Sequence, residues 1–490
     1  VTGIDRRRFL TGALALGSGA ALGRTARDFT IKRARPLRTS ADRILDHPAR
    51  ESPIDTIVVV MLENRSFDHV LGWMATDEPY LEEGRRRFGK DFHVIGSTSE
   101  RYRAPNGEMR ATEDALTALG EDERAFRGCT HKSPGHSWKQ GRIQRDQGFL
   151  AEGSGNDEFA VTYFDGKALP HHQLLAAHST VCDRHFSSLL GPTFPNRMYM
   201  HAAQSEGHKG DPGPLKTGIY SSTTIWDLLE RADVPATYYY TDVPILRLWG
   251  DRMAPFIAPI DQYFEQALSG TLPNVVMVDP SFTGSLRADG HPKGDVGVAA
   301  GFVAIVLEAL LGSPQWDRSL FVVTFDEWGG FYDSVRPVKL ADNRASKHDQ
   351  NDFGQAGFRV PAAHVSSYAP GNAIDHTVYD HTSILRFIEW RFLGAPASGP
   401  GAGSSGRWWL TQRDRHANPI GQLLRTTPVN TDIPRPFVLP ESVRQYVPDC
   451  AEDTTDAIDP FQVSPEFEEL LALEHPPAGT RPWEQLGIPR

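Results

Sequence analysis

At 490 residues, 39% of them apolar and 23% charged, the chain has the make-up of an ordinary globular protein with room for a large buried core, which excludes collagen-like, coiled-coil and wholly disordered classes. A formal net charge of −11 argues against a nucleic-acid partner, because gripping a phosphate backbone needs a surplus of Lys and Arg. The three cysteines, Cys129, Cys182 and Cys450, are too few for a disulfide framework, and their odd number leaves at least one unpaired within a monomer.

In chain order, Arg6, Arg7 and Arg8 precede Phe9-Leu10 and a short run of Ala, Leu and Gly that ends near residue 23. That order is a twin-arginine export signal, so residues 1–26 are set apart from the fold. The run is too short and too Gly-rich to span a bilayer as a stable helix. The expected destination is the cell envelope or the medium, with the twin-arginine machinery as a partner. Cargo of that route folds before export, often around a cofactor, which favours a metalloenzyme. Residues 27–50 read as a basic linker, residues 51–424 as one catalytic domain, and residues 425–490 as a Pro-rich acidic extension packing on the core, with one helical pattern at residues 465–473.

The run Thr56-Ile57-Val58-Val59-Val60-Met61 is continuously apolar and β-branched, the mark of a strand buried on both faces. A second such run, Leu320-Phe321-Val322-Val323-Thr324-Phe325, follows an apolar helical stretch at residues 301–311, giving the helix–turn–strand rhythm of an α/β sheet. Residues 274–278 and 360–365 are further strand candidates, and residues 382–392 have helical periodicity. Residues 394–406, rich in Gly, Ser, Ala and Pro, read as a surface loop.

In open α/β sheets, ligands gather at the carboxyl ends of the parallel strands. The first run leads into Glu63-Asn64 and the second into Asp326-Glu327. Three carboxylates and an amide converging on one point repel unless a cation sits among them, and all-oxygen ligation suits one hard divalent ion, Ca²⁺, Mg²⁺ or Mn²⁺. A third element, Gly191-Pro192-Thr193-Phe194-Pro195-Asn196-Arg197, places a hydroxyl at the mouth of a helix expected to begin near Asn196, with Pro195 starting it. Free N–H groups and the helix dipole there suit attack on an anionic phosphate, and Arg197, about one turn on, reaches the same pocket.

Together these motifs resemble the bacterial phosphoesterase family that holds phosphatidylcholine-type phospholipases C and a secreted acid phosphatase, within the alkaline phosphatase-like superfamily. The resemblance runs from about Asp55 to about Leu424. It implies a three-layer α/β fold with a mostly parallel central sheet and helices on both faces. It also implies Glu63, Asn64, Asp326 and Glu327 as metal ligands, Thr193 as nucleophile, and His136 and His291 beside the bound phosphate, whereas His381 reads as a structural residue at a helix start. Two departures stand out: many members have His where this chain has Trp328 and Ser334.

The implied reaction is covalent phosphoryl transfer through a phosphothreonine, with His136 or His291 stabilising the phosphoryl oxygens and protonating the departing alkoxide. The leading substrate is a phosphatidylcholine-like phospholipid, met by transient contact with a membrane surface and cleaved to diacylglycerol and a phosphorylated headgroup. A quaternary ammonium calls for an aromatic cage, for which Trp138, Trp328, Tyr332 and the Tyr238-Tyr239-Tyr240 run are the candidates. The alternatives are a broad acid phosphatase on monoesters and a non-catalytic secreted lipid-binding protein. A sulfatase is excluded, because threonine at the position of Thr193 cannot give formylglycine.

Overall fold

The computed structural model describes residues 42–120, 123–283, 287–399, 408–435 and 437. The export signal, most of the expected linker, Cys450 and the helical pattern at residues 465–473 lie outside the described residues.

The strands of the main sheet are β1 (Thr56–Leu62), β2 (Thr180–Cys182), β3 (Ala236–Tyr240), β4 (Ile257–Pro259), β5 (Val275–Val278), β6 (Ser319–Phe325), β7 (Ala362–Val365) and β8 (Ala373–Asp375). Across the sheet they lie in the order β8-β2-β7-β6-β1-β5-β3-β4. Neighbours are parallel except at β7, which runs antiparallel to both β6 and β2. The two β-branched runs are the adjacent central strands β1 and β6, buried along their whole lengths. Their register sets Leu62 opposite Phe325, so the residues that follow each strand emerge side by side. The strand expected at residues 360–365 forms only from Ala362, since Pro361 has no N–H for the ladder.

Alternation along β1 divides the interior into two cores. Val58, Val60 and Leu62 face one core with Leu174 and Leu175 of α2 (Pro170–His178) and Val303, Leu307 and Leu310 of α5 (Val296–Leu311). Ile57, Val59 and Met61 face the other, with Met198 of α3 (Thr193–Ala202), Leu229 of α4 (Ile225–Arg231) and Ile384, Leu385 and Ile388 of α6 (His381–Ile388). Each such side chain contributes about 1.5–3 kcal/mol on burial. Helices therefore cover both faces of a mostly parallel sheet, the three-layer α/β arrangement expected. The remaining helix used below, α1 (Trp138–Gln147), begins at a capping box made by Ser137 and Gln140. The periodicity at residues 382–392 is α-helical only to Ile388 and widens into a π turn at Glu389–Leu393.

Residues 42–50, expected as linker, carry two 3₁₀ turns, and Ile44 is buried in the second core. The Thr426 N–H donates to the Asp42 carbonyl at 3.1 Å, so the segments flanking residues 51–424 meet each other. Phe437 is buried in the first core, with its N–H on the Glu308 carboxylate at 2.6 Å. Cys182 is a buried free thiol. Among the described residues no helix is long and apolar enough to cross a membrane.

Candidate active site

The register of β1 and β6 brings Glu63, Asn64, Asp326 and Glu327 together at the carboxyl end of the sheet, all fully buried. Asn64 has φ +58°, a left-handed conformation that asparagine tolerates better than most residues. This turns its N–H onto Asp326 Oδ1 at 2.9 Å, and the Glu327 N–H donates to the same oxygen at 2.6 Å. The close fit continues at Gly329, where a Cβ would lie 2.0 Å from the Asn64 carbonyl oxygen. Arg359 ties the two motifs further out, reaching Asp68 at 3.0 Å and Asp333 at 2.9 Å.

Thr193 is the first residue of α3, so the helix begins three residues earlier than the sequence suggests. Pro195 is then its third residue, where a missing N–H costs little because the first turn has no carbonyls to bond. The preceding turn is held by Asn196, whose carboxamide accepts from Leu189 N–H at 2.8 Å and donates to the carbonyls of Leu189, Gly191 and Pro192. The Thr193 hydroxyl donates to Glu63 Oε2 at 3.0 Å.

Arg197 grips Glu63 Oε1 through Nε at 2.6 Å and through its Nη2. It also reaches Asp279 at 3.4 Å and the Met61 carbonyl at 3.3 Å, and its guanidinium lies 4.7 Å over the Phe282 ring. Its donors are thereby engaged inside the protein, and it holds Glu63 from the core side. Burial pushes Glu63 and Glu327 well above the usual carboxylate range and raises Asp326 as well; Arg197 opposes the effect at Glu63 and Asp326, and mutual repulsion adds to it at both glutamates.

Both histidines border this cluster. His136 Nδ1 lies 2.8 Å from the Pro134 carbonyl and His291 Nδ1 2.8 Å from the Pro292 carbonyl. A carbonyl only accepts, so each Nδ1 carries the proton and each neutral ring keeps a bare Nε2. The His136 Nε2 is 3.9 Å from Glu327 Oε1, and the two ring centroids are 6.1 Å apart. Burial lowers His136 and takes His291 well down, so both are neutral at pH 7.

Three oxygens at the centre, Asn64 Oδ1, Asp326 Oδ2 and Glu327 Oε1, are buried without a hydrogen-bond partner. Each such atom costs about 1–3 kcal/mol. An all-oxygen set of this kind fits a hard divalent cation. The cage is not ready-made: among the described residues no three His, Cys, Asp or Glu side chains form one, and Glu63 has both oxygens on Thr193 and Arg197.

Two residues of the site escape the sequence reading. Asp279, straight after β5, anchors Arg197 and accepts from the Tyr238 hydroxyl; it obeys the same strand-end rule as Glu63 and was legible by it. Asp211 accepts the Phe194 N–H at 2.9 Å, so a carboxylate of the chain already covers one N–H at the mouth of α3. Its Gly-Asp-Pro-Gly loop gives no local sign of that contact.

The aromatic candidates do not form a cage. Trp328 is buried with its indole N–H on Gln144 at 2.8 Å, and Tyr332 is buried with its hydroxyl on the Ser97 carbonyl at 3.0 Å. Tyr238, Tyr239 and Tyr240 belong to the cores. Trp138 already receives two cations, with the Arg142 guanidinium 3.6 Å and the Lys209 ammonium 5.1 Å from its ring centroid. Ser334, the other departure, donates its N–H to Asp68 at 2.6 Å. His381, at the start of α6, bonds through Nε2 to the Asp326 carbonyl at 2.6 Å.

A three-layer α/β sheet with an acidic, oxygen-rich cluster at its carboxyl edge and a hydroxyl on a helix N-terminus can support hydrolysis through a nucleophilic hydroxyl. The particular family follows from comparison: the chain belongs to the Phosphoesterase family, whose model matches residues 54–393, and it is a hydrolase acting on phosphoric ester bonds. It is similar to the protein named non-specific phospholipase C3 of Arabidopsis thaliana, 30% identical over 436 residues that cover 83% of this chain and 80% of that one. It is 28% identical over 452 residues to phospholipase C B of Mycobacterium tuberculosis, covering 81% of this chain and 82% of the relative. Among solved structures, a protein in the alkaline phosphatase superfamily from Vibrio parahaemolyticus overlaps at 11% identity and TM-score 0.30, covering 79% of this chain and 75% of that one.

Proposed function

We propose that the chain is a metal-dependent phospholipase C that cleaves the bond between diacylglycerol and the phosphorylated headgroup, with Thr193 as nucleophile. The observation that carries this reading is the Thr193 hydroxyl, 3.0 Å from Glu63 Oε2 and beside the unpartnered oxygens of Asn64, Asp326 and Glu327. Its support for a lipid diester comes from the relatives named as phospholipases C.

Asn64, Asp326 and Glu327 would hold the divalent ion, with Glu63 bordering it; when bound, it supplies the positive charge against which the Thr193 hydroxyl ionises. Arg197, working through Glu63, orients the hydroxyl and does not touch substrate. Thr193 Oγ1 forms a bond to phosphorus as the bond to the diacylglycerol oxygen breaks, and water later releases the phosphorylated headgroup from threonine. His136 and His291 face the phosphoryl group with bare Nε2 atoms. An anionic phosphate beside them favours uptake of a proton, which then serves the leaving oxygen. Export by the twin-arginine route, to the envelope or beyond, belongs to the same proposal and rests on Arg6 to Leu10 alone.

The test compares wild-type protein and Thr193→Ala, each loaded with Ca²⁺, Mg²⁺ or Mn²⁺, on phospholipid micelles and on p-nitrophenyl phosphate. Turnover should vanish in the variant while bound metal, read by elemental analysis, and Tm stay close to wild type. Retained turnover would remove Thr193 from the mechanism. Faster monoester than diester cleavage would make the protein an acid phosphatase on the same residues. Chelation should lower Tm, and a protein that carries no metal and loses no stability to chelator would overturn the metal site.

A further inference from the structure

A groove of about 380 Å³ runs along α1, lined by Trp138, Lys139, Arg142, Asp146, Lys209 and Gln350 among others. It abuts the nucleophile turn. A Cβ placed on Gly191 would lie 3.7 Å from the Lys209 carbonyl oxygen and 3.8 Å from a Trp138 ring carbon, and Arg142 donates to the Leu190 carbonyl at 2.9 Å. Two of the lining residues, Trp138 and Lys209, thus pack against Gly191, two residues before Thr193, and Trp138 itself follows His136 by two residues.

Its charge runs against that of the molecule. Lys139, Arg142 and Lys209 line it with one carboxylate, Asp146, which is already paired with Arg145 and Arg336. Asp349, next to Gln350 in the chain, pairs with Arg142 at 3.5 Å and Arg145 at 3.0 Å, which leaves Lys139 and Lys209 as the lining cations without a carboxylate partner among the described residues. Lys209 is held in place by the Gln350 carbonyl at 2.7 Å and Asn351 Oδ1 at 2.6 Å. Lys139 is exposed and has no hydrogen bond or ion pair among the described residues. A quaternary ammonium has no N–H and depends on open aromatic faces and carboxylates. The Trp138 ring here already carries Arg142 and Lys209, and a third cation would enter a field of like charge. Hydroxyls and anions, by contrast, meet ammonium donors.

We propose that this groove is the headgroup seat, and that it selects phosphodiesters with hydroxyl-rich or anionic headgroups over those bearing choline. The proposal rests on the phospholipase C reading above and departs from the choline lipid expected from the family resemblance.

The test uses short-chain phosphatidylglycerol and phosphatidylcholine with identical acyl chains, both below their micelle concentrations so that surface charge plays no part, with metal-loaded full-length protein. Wild type should prefer the glycerol lipid in kcat/KM by about tenfold or more, and charge reversal by Lys139→Glu or Lys209→Glu should collapse most of that ratio. Lys139→Ala, a milder change at an exposed position, should move it part of the way. Equal or better cleavage of the choline lipid, or a ratio that neither reversal moves while both lipids are still hydrolysed, overturns the seat alone. Hydrolysis of neither lipid by a wild type active on p-nitrophenyl phosphate overturns the phospholipase reading and the seat with it.

Discussion

Glu63 sits between two demands, the hydroxyl of Thr193 on one oxygen and the guanidinium of Arg197 on the other. Burial raises this carboxyl well above the usual carboxylate range, and the Arg197 guanidinium beside it is the main influence holding that rise back. Removing Arg197 leaves Glu63 and Asp279 as buried carboxylates without their counter-ion, which costs about 3–5 kcal/mol. Arg197→Ala should therefore lose stability on that scale in urea unfolding and lose activity with it, and a variant within about 1 kcal/mol of wild type would mean that the pair is solvated. Lysine is a poor substitute, because a single ammonium cannot reach Glu63, Asp279 and the Met61 carbonyl at once. Strand-end chemistry made Glu63 and Asp326 visible beforehand. The partner of Arg197 was not visible, because a charge four residues after a candidate nucleophile reads equally well as a phosphate ligand.

The turn after β6 and the turn after β1 interlock without spare volume. Gly329, at φ +64°, lies against the carbonyl of Asn64, and the Gly329 N–H donates to Glu327 Oε2 at 2.8 Å. A methyl group there meets backbone, not a flexible side chain, and the left-handed φ is itself unfavourable for alanine. Gly329→Ala should push Asn64 and Glu327 apart. With the metal site proposed above, the expected result is loss of bound metal and of turnover at least tenfold, with a lowered Tm; a variant with wild-type metal content and activity would show that the two turns tolerate separation. The glycine pair stood in the sequence, but only the register of β1 and β6 shows what it must avoid. Asn196 makes the same point, since its side chain clamps residues 189–192 where the sequence suggests merely the start of a helix.

At the scale of the molecule, the helices that cover the sheet bury several histidines in neutral form. Burial takes His171 of α2 to about 4, His172 beside it to about 3, and His201 of α3 to about 3. A histidine depressed in the folded state binds protons preferentially in the unfolded chain. Its neutral state is thus compatible with folding above about pH 6.5, and stability is lost as pH falls from there toward the folded value. His172→Gln removes one such group. The stability of wild type relative to this variant should fall by up to about 1.4 kcal/mol per pH unit between about pH 6 and pH 4 and stay constant above about pH 7. A difference independent of pH would mean that His172 is hydrated in the folded protein.

Local pattern was enough to establish the α/β class, the two central strands, the carboxylates and amide that follow them, and the hydroxyl at a helix mouth. Those features depend on burial periodicity and on strand or helix ends, which neighbouring residues dictate. Tertiary structure alone decided that β7 runs antiparallel, that α3 begins at Thr193, that Arg197 faces inward, that both pocket histidines carry their proton on Nδ1, and that Trp138 is occupied by cations. The reason is distance along the chain. Thr193 meets Glu63 across 130 residues and Asn64 meets Asp326 across 262, and no short window of sequence contains both partners of such a bond.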